Sequence, residues 1–155
     1  MTSYSALRLF QAQLSRLTGG STFKTKIVLT PAAVKEAGLV ITLSLLKTAL
    51  DTRAKAAEKT RTLKIRLAVR GQVESLTGLE QALEAIEKLD AYFTRENLRL
   101  EDTVEGANAM QAISKIPNTR IRQVVSPDDS FIDSPDSVAV QDIEDVRFIY
   151  ITVPA

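Results

Sequence analysis

The sequence predicts an α+β fold: a small antiparallel or mixed β-sheet of about four to five strands, with two main helices packed on one face. Three observations lead there. Two segments repeat apolar residues every three or four positions, the mark of one helical face. Several shorter segments alternate apolar and polar residues or run apolar throughout, the mark of strands. The strands come in runs and do not alternate strictly with helices, which argues against a parallel βαβ architecture. The 155 residues suit a single domain, 1–155. A chain of that length buries about two-thirds of its unfolded surface.

The first helix is expected over about 3–18, with Leu7, Phe10, Leu14 and Leu17 on its apolar face and Gly19-Gly20 stopping it. A strand follows over about 22–29, broken by Thr30-Pro31. Residues 31–38 read as a loop or a short turn. The run from Leu39 to Leu46 reads as a buried strand, because its length and branched residues outweigh the ambiguity of its period. Residues 47–61 have alanine-rich helix propensity but only Leu50 as a large apolar residue, so they read as a long exposed connection, an arm or loop, with a hairpin arm as one form of it. Leu63 to Arg70 alternates most cleanly. Leu63, Ile65, Leu67 and Val69 face a core; Lys64, Arg66, Ala68 and Arg70 face solvent or a partner, and Gly71 ends the strand.

The second helix is expected over about 78–94. Thr77 and Glu80 have the spacing of a capping box, and Leu79, Ala82, Leu83, Ile86, Leu89 and Phe93 form the apolar stripe. Asp90 falls inside that stripe, either at its edge or as a buried polar contact. Residues 95–117 read as irregular with a short helix over about 106–113, and a short strand follows over about 119–125. Pro127, Pro135 and clustered Asp and Ser make 126–137 an acidic loop. Val146 to Val153 is apolar on both faces, which suits a central strand.

Composition narrows the chemistry. The chain contains no Cys and no His. That removes thiolate nucleophiles, disulfides, the commonest general base and the usual zinc ligands. Glu80, Glu84 and Glu87 offer paired carboxylates, but they fall on the outer side of the second helix, where charges normally sit. Asp128, Asp129, Asp133 and Asp136 are the most metal-like group. They lack the glycine and terminal glutamate of a calcium loop, so a solvated acidic loop is the expectation. No glycine-rich phosphate loop is present. The expectation is a non-enzymatic protein with no cofactor and no metal. No apolar stretch approaches the roughly 20 residues of a membrane span, so no membrane partner is expected.

Charge is unevenly distributed although the formal net charge is only +1. From Lys24 to Arg70, eleven Lys and Arg stand against three acidic residues, a net +8. From Ser126 to Asp145, seven acidic residues stand against no basic one, a net −7. Such blocks either neutralise each other within one fold or fix the register between chains. Candidate interface residues are therefore Arg53, Lys55, Lys59 and Arg61 in the basic arm, with Asp128, Asp129, Asp133 and Asp136 in the acidic loop. A basic arm also suits nucleic-acid phosphates. No aromatic residue lies between Lys47 and Arg70, so stacking on a single strand has no support there, and sequence-specific nucleic-acid binding is not expected.

Four segments together resemble the tail-terminator, or tail-completion, proteins of long-tailed phages. They are the helix ALRLFQAQLSRL, the basic stretch DTRAKAAEKTRTLKIRLAVRG running into a strand, the helix GLEQALEAIEKLDAYF and the strand VRFIYITV. The resemblance covers most of the chain and is one of pattern. It implies a small sheet with helices against it, a hexameric ring of identical subunits capping the tail tube, and a surface for head joining. The partners would be the chain itself, the tail tube or sheath, and neck proteins. The place would be the virion, with host cytoplasm during assembly. Another neck or baseplate-proximal adaptor, and a basic-arm nucleic-acid-binding module, are the alternatives.

Overall fold

The computed structural model describes residues 1–18, 24–29, 38–51, 59–105, 111–124, 130–133 and 141–155. Among them are two helices and eight strands: α1 (Ser3–Leu17), β1 (Lys24–Ile27), β2 (Gly38–Asp51), β3 (Thr60–Val73), α2 (Leu76–Phe93), β4 (Glu101–Glu105), β5 (Gln111–Lys115), β6 (Arg120–Val124), β7 (Ser130–Asp133) and β8 (Gln141–Pro154). The fold is α+β.

The main sheet is mixed and runs β1-β2-β3-β8-β6, with β7 also pairing β8. β1 lies parallel to β2, and every other pair in this sheet is antiparallel. β8 therefore has β3 along one edge and both β6 and β7 along the other, the central place that its two apolar faces predict. β4 and β5 form a separate two-stranded sheet.

Both helices pack on one face of the sheet, as the alternation in β3 predicts. The core joins Leu7, Phe10 and Leu14 of α1 and Leu89 and Phe93 of α2 to Leu63, Ile65, Leu67 and Val69 of β3 and Ile149, Ile151 and Val153 of β8. Each buried leucine or isoleucine contributes about 1.5–3 kcal/mol of transfer free energy. Gln13 fastens the layers from inside. Its amide donates to the Tyr92 hydroxyl and to the Arg99 carbonyl at 3.0 Å, and its Oε1 accepts from the Glu101 amide at 3.0 Å.

Several elements differ from expectation. The strands are longer: β2 continues through 47–51 and β3 begins at Thr60, so the expected arm is in large part the far end of a hairpin. Its residues 52–58 lie outside the described residues. Leu46 is an extra residue against β3, a bulge that shifts the register between Leu45 and Lys47. Gly71 does not end β3. At φ 156°, a backbone conformation that suits glycine, it carries the strand on to Val73. Helix α2 starts earlier, and Ser75, not Thr77, accepts from the Gly78 amide as its cap. The buried positions of α2 are Ala82, Ala85, Leu89, Tyr92 and Phe93, whereas Leu83 turns outward. Residues 111–113, expected in a short helix, belong to β5, and 106–110 lie outside the described residues; Glu101–Glu105, expected to be irregular, form β4. Residues 130–133, expected within a loop, pair with β8 as β7, because the register sets Phe131 and Ile132 against Glu144 and Ile143. Gly19-Gly20 and Thr30-Pro31 lie outside the described residues.

Candidate functional site

The face of the sheet away from the helices collects the chemistry that the core excludes. Antiparallel register aligns three rows across β3, β8 and β6. Thr62, Thr152 and Arg120 make the first; Lys64, Tyr150 and Arg122 the second; Arg66, Phe148 and Val124 the third. Period-two alternation puts every one of these side chains on the same face, opposite Leu63, Ile65, Ile149 and Ile151.

Cations sit over the two aromatic rings. Lys64 Nζ lies 5.2 Å from the Phe148 centroid and 5.9 Å from that of Tyr150, and Arg122 Cζ lies 4.8 Å from Tyr150. The rings hold the side chains in place by their quadrupoles, a contact of about 0.5–1 kcal/mol at exposed sites. Arg66 Nη2 meets Glu144 Oε1 at 3.1 Å. That pair joins the basic segment to the acidic one within a single chain. Arg120 and Arg122 are exposed, and neither has an ion-pair partner among the described residues. Toward β1 the same face closes, with Val40, Thr42, Ser44 and Ala68 buried.

On the helix side lies a buried ionic group. Arg147 Nε meets Asp145 Oδ1 at 2.7 Å and its Nη2 meets Oδ2 at 3.3 Å, a two-pronged pairing. Nη1 reaches Asp90 Oδ1 on α2 at 2.6 Å, and Nη2 donates to the Ile86 carbonyl at 3.3 Å. The Arg147 side chain is 5% exposed and that of Asp90 60%. This group ties α2 to β8 through a buried guanidinium, so it acts as a fastening.

Burial pushes the Tyr92 phenol above its ordinary pKa of 10.0, against the opposing pull of the Gln13 hydrogen bond. Among the described residues no three carboxylates gather where a metal ion would sit. Glu80, Glu84 and Glu87 are exposed on α2. Among the described residues no helix is long and apolar enough to cross a membrane.

The residues singled out from sequence fall in different places. Lys59 is exposed just before β3, where its carbonyl accepts from the Ala155 amide at 3.0 Å. Arg61 is half-buried in β3, between Leu50 of β2 and Val153 of β8 in register. Asp133 closes β7 opposite Asp142. Arg53, Lys55, Asp128, Asp129 and Asp136 lie outside the described residues. Sequence reasoning missed Arg120, Arg122, Phe148 and Tyr150 as members of one surface. Their signal was present as alternation in β6 and β8, but only strand pairing brings them to Lys64 and Arg66.

A second exposed feature lies along β2. β1 covers only Val40 to Leu43 of its outer edge, so among the described residues the stretch beyond has no strand beside it. Leu45, Leu46 and Leu50 are exposed there.

No family model matches the sequence, and no curated protein matches it. Among solved structures, a chain from the "Virion of native gene transfer agent (GTA) particle" aligns over 97% of this chain and 91% of its own, at 15% identity and a TM-score of 0.34. At that distance the likeness carries no argument about fold or function.

Proposed function

We propose that the protein is a non-enzymatic virion assembly protein, a subunit of a homomeric ring, in the manner of a phage tail terminator that caps the tail tube and offers the head-joining surface. One observation carries the reading: among the described residues the far half of β2 has no strand along its outer edge, and it bears the exposed Leu45, Leu46 and Leu50. Monomeric proteins blunt such edges with charge, proline or a covering loop, because an apolar edge recruits other chains. Lys47 is the single charged residue between these leucines. The edge therefore suits a surface that another subunit or the tail tube covers. The partners are the chain itself, hexameric in the finished ring, with tail-tube or sheath and neck proteins. The site of action is the virion, after assembly in host cytoplasm.

Sedimentation of the purified chain with and without tail tubes tests the reading. The expected result is a ring-sized species, in solution or on the tube, that the paired substitution Leu46→Glu and Leu50→Glu abolishes without loss of fold. A folded variant that still completes tails at the wild-type level overturns it. A second reading, a nucleic-acid-binding module, draws on Arg120 and Arg122, exposed two apart on one face of β6, where cations could meet phosphates. Binding to single-stranded DNA that weakens steeply with salt, together with failure to join tails, would favour that reading.

A further inference from the structure

We infer that the exposed grid on β3, β8 and β6 is the docking surface for the acidic segment 126–140 of a second copy of this chain. The inference rests on the ring reading above and gives one of its contacts a chemistry. Three arguments select the occupant. First, the surface presents cations. Arg120 and Arg122 are exposed without a carboxylate partner among the described residues, and Lys64 has only aromatic rings beneath it. Second, the matching charge is present in the same sequence. Asp128, Asp129, Asp133 and Asp136 fall in a segment with no basic residue, and the chain as a whole nets only +1. Third, the aromatic rings already have cations over them, which leaves carboxylate pairing open and obstructs base stacking. A copy that presents a cationic patch on one surface and an acidic segment on another makes a head-to-tail contact, the kind that closes into rings.

The geometry fixes which residues matter. Arg120 and Arg122 stand two apart on edge strand β6, so their guanidinium groups face the same way along the rim of the sheet. Lys64 and Tyr150 lie inward from Arg122 in the same row. An acidic segment laid along β6 would meet both arginines first and Lys64 second. Arg66 is already engaged by Glu144 and contributes less.

The test uses the full chain and charge exchange. Sedimentation of the wild-type protein at low ionic strength is expected to show self-association that disappears at high ionic strength. Arg120→Glu with Arg122→Glu is expected to abolish it, with circular dichroism and thermal unfolding unchanged, because both residues are exposed. Asp128→Lys with Asp129→Lys and Asp136→Lys is expected to abolish it too. An equimolar mixture of the two folded variants is expected to associate again, since each supplies the complement that the other lacks. A strict monomer at low ionic strength, wild-type association by the arginine variant, or no recovery on mixing would each overturn the docking. So would binding of an oligothymidylate that is lost in the arginine variant while association persists. The ring reading is scored separately, by tail completion. If the arginine variant completes tails as wild type does, the docking falls and the ring stands.

Discussion

Arg147 shows what one buried charge does in this fold. Its guanidinium is held by Asp145 beneath α2 and by Asp90 at the helix surface. Replacing it with methionine leaves Asp145 buried without its guanidinium, which costs about 3–5 kcal/mol. Urea unfolding of Arg147→Met checks this. Asp90→Asn keeps a hydrogen-bond acceptor at a position open to solvent, and its cost is expected to stay under about 1 kcal/mol. Tyr92 gives a pH dependence. The folded chain holds the phenolic proton more tightly than the unfolded chain, so the associated stability is complete below pH 10.0 and declines as pH rises through the folded value. Tyr92→Phe is expected to flatten that alkaline decline in thermal melts, at a cost of about 1 kcal/mol for the hydrogen bond with Gln13. Asp90 was legible as an oddity because it interrupts an apolar stripe. Its partner was not, since Arg147 lies 57 positions away by residue number and only the packing of α2 on β8 joins them.

Elements were legible where one periodicity ran uninterrupted. The core face of β3 and the apolar face of α1 follow directly from their spacing, and both pack as that spacing requires. Element ends were less legible, because they depend on partners. β2 reaches Asp51 and β3 starts at Thr60 since each supplies the other's ladder, although 47–51 and 60–61 have little apolar pattern. β7 exists because β8 offers it an edge. Helix α2 makes the clearest test. The capping-box spacing points to Thr77, and the structure uses Ser75 instead. Ser75→Ala is expected to lower stability by about 1 kcal/mol, whereas Thr77→Ala should leave it nearly unchanged. Chemical denaturation of the two variants decides the point. In the core, Leu67→Ala is expected to cost about 2–5 kcal/mol, read by the same method.

At the scale of the molecule, sequence pattern predicted helices on one side of the sheet and a charged face on the other, and the structure has both. The make-up of the charged face was not legible. Alternation assigns each residue to a side of its own strand, but it does not say which strands are neighbours. The order β3-β8-β6 assembles the grid by joining β3 to β8, a strand more than 50 positions away by residue number, and β8 in turn to β6. The assignment of interface residues to an arm at 53–61 followed charge density along the chain, while the cations of the grid follow from pairing across it. Charge exchange on Arg120 and Arg122 and leucine replacement on β2 separate the two surfaces, because one responds to salt and the other does not.

The central place of β8 also bears on how the chain is made. Synthesis delivers β2 and β3 early, and they can close as a local hairpin. β3 then waits, with one ladder open, for a strand that emerges some 70 residues later. At about 5–20 residues per second, that interval lasts several seconds on the ribosome. Throughout it, Leu63, Ile65 and Leu67 lack the isoleucines of β8 against which they will pack. A ribosome that stalls before residue 141 would leave a nascent chain with an apolar sheet edge and nothing to close it, a natural client for chaperones that guard unfinished β-proteins.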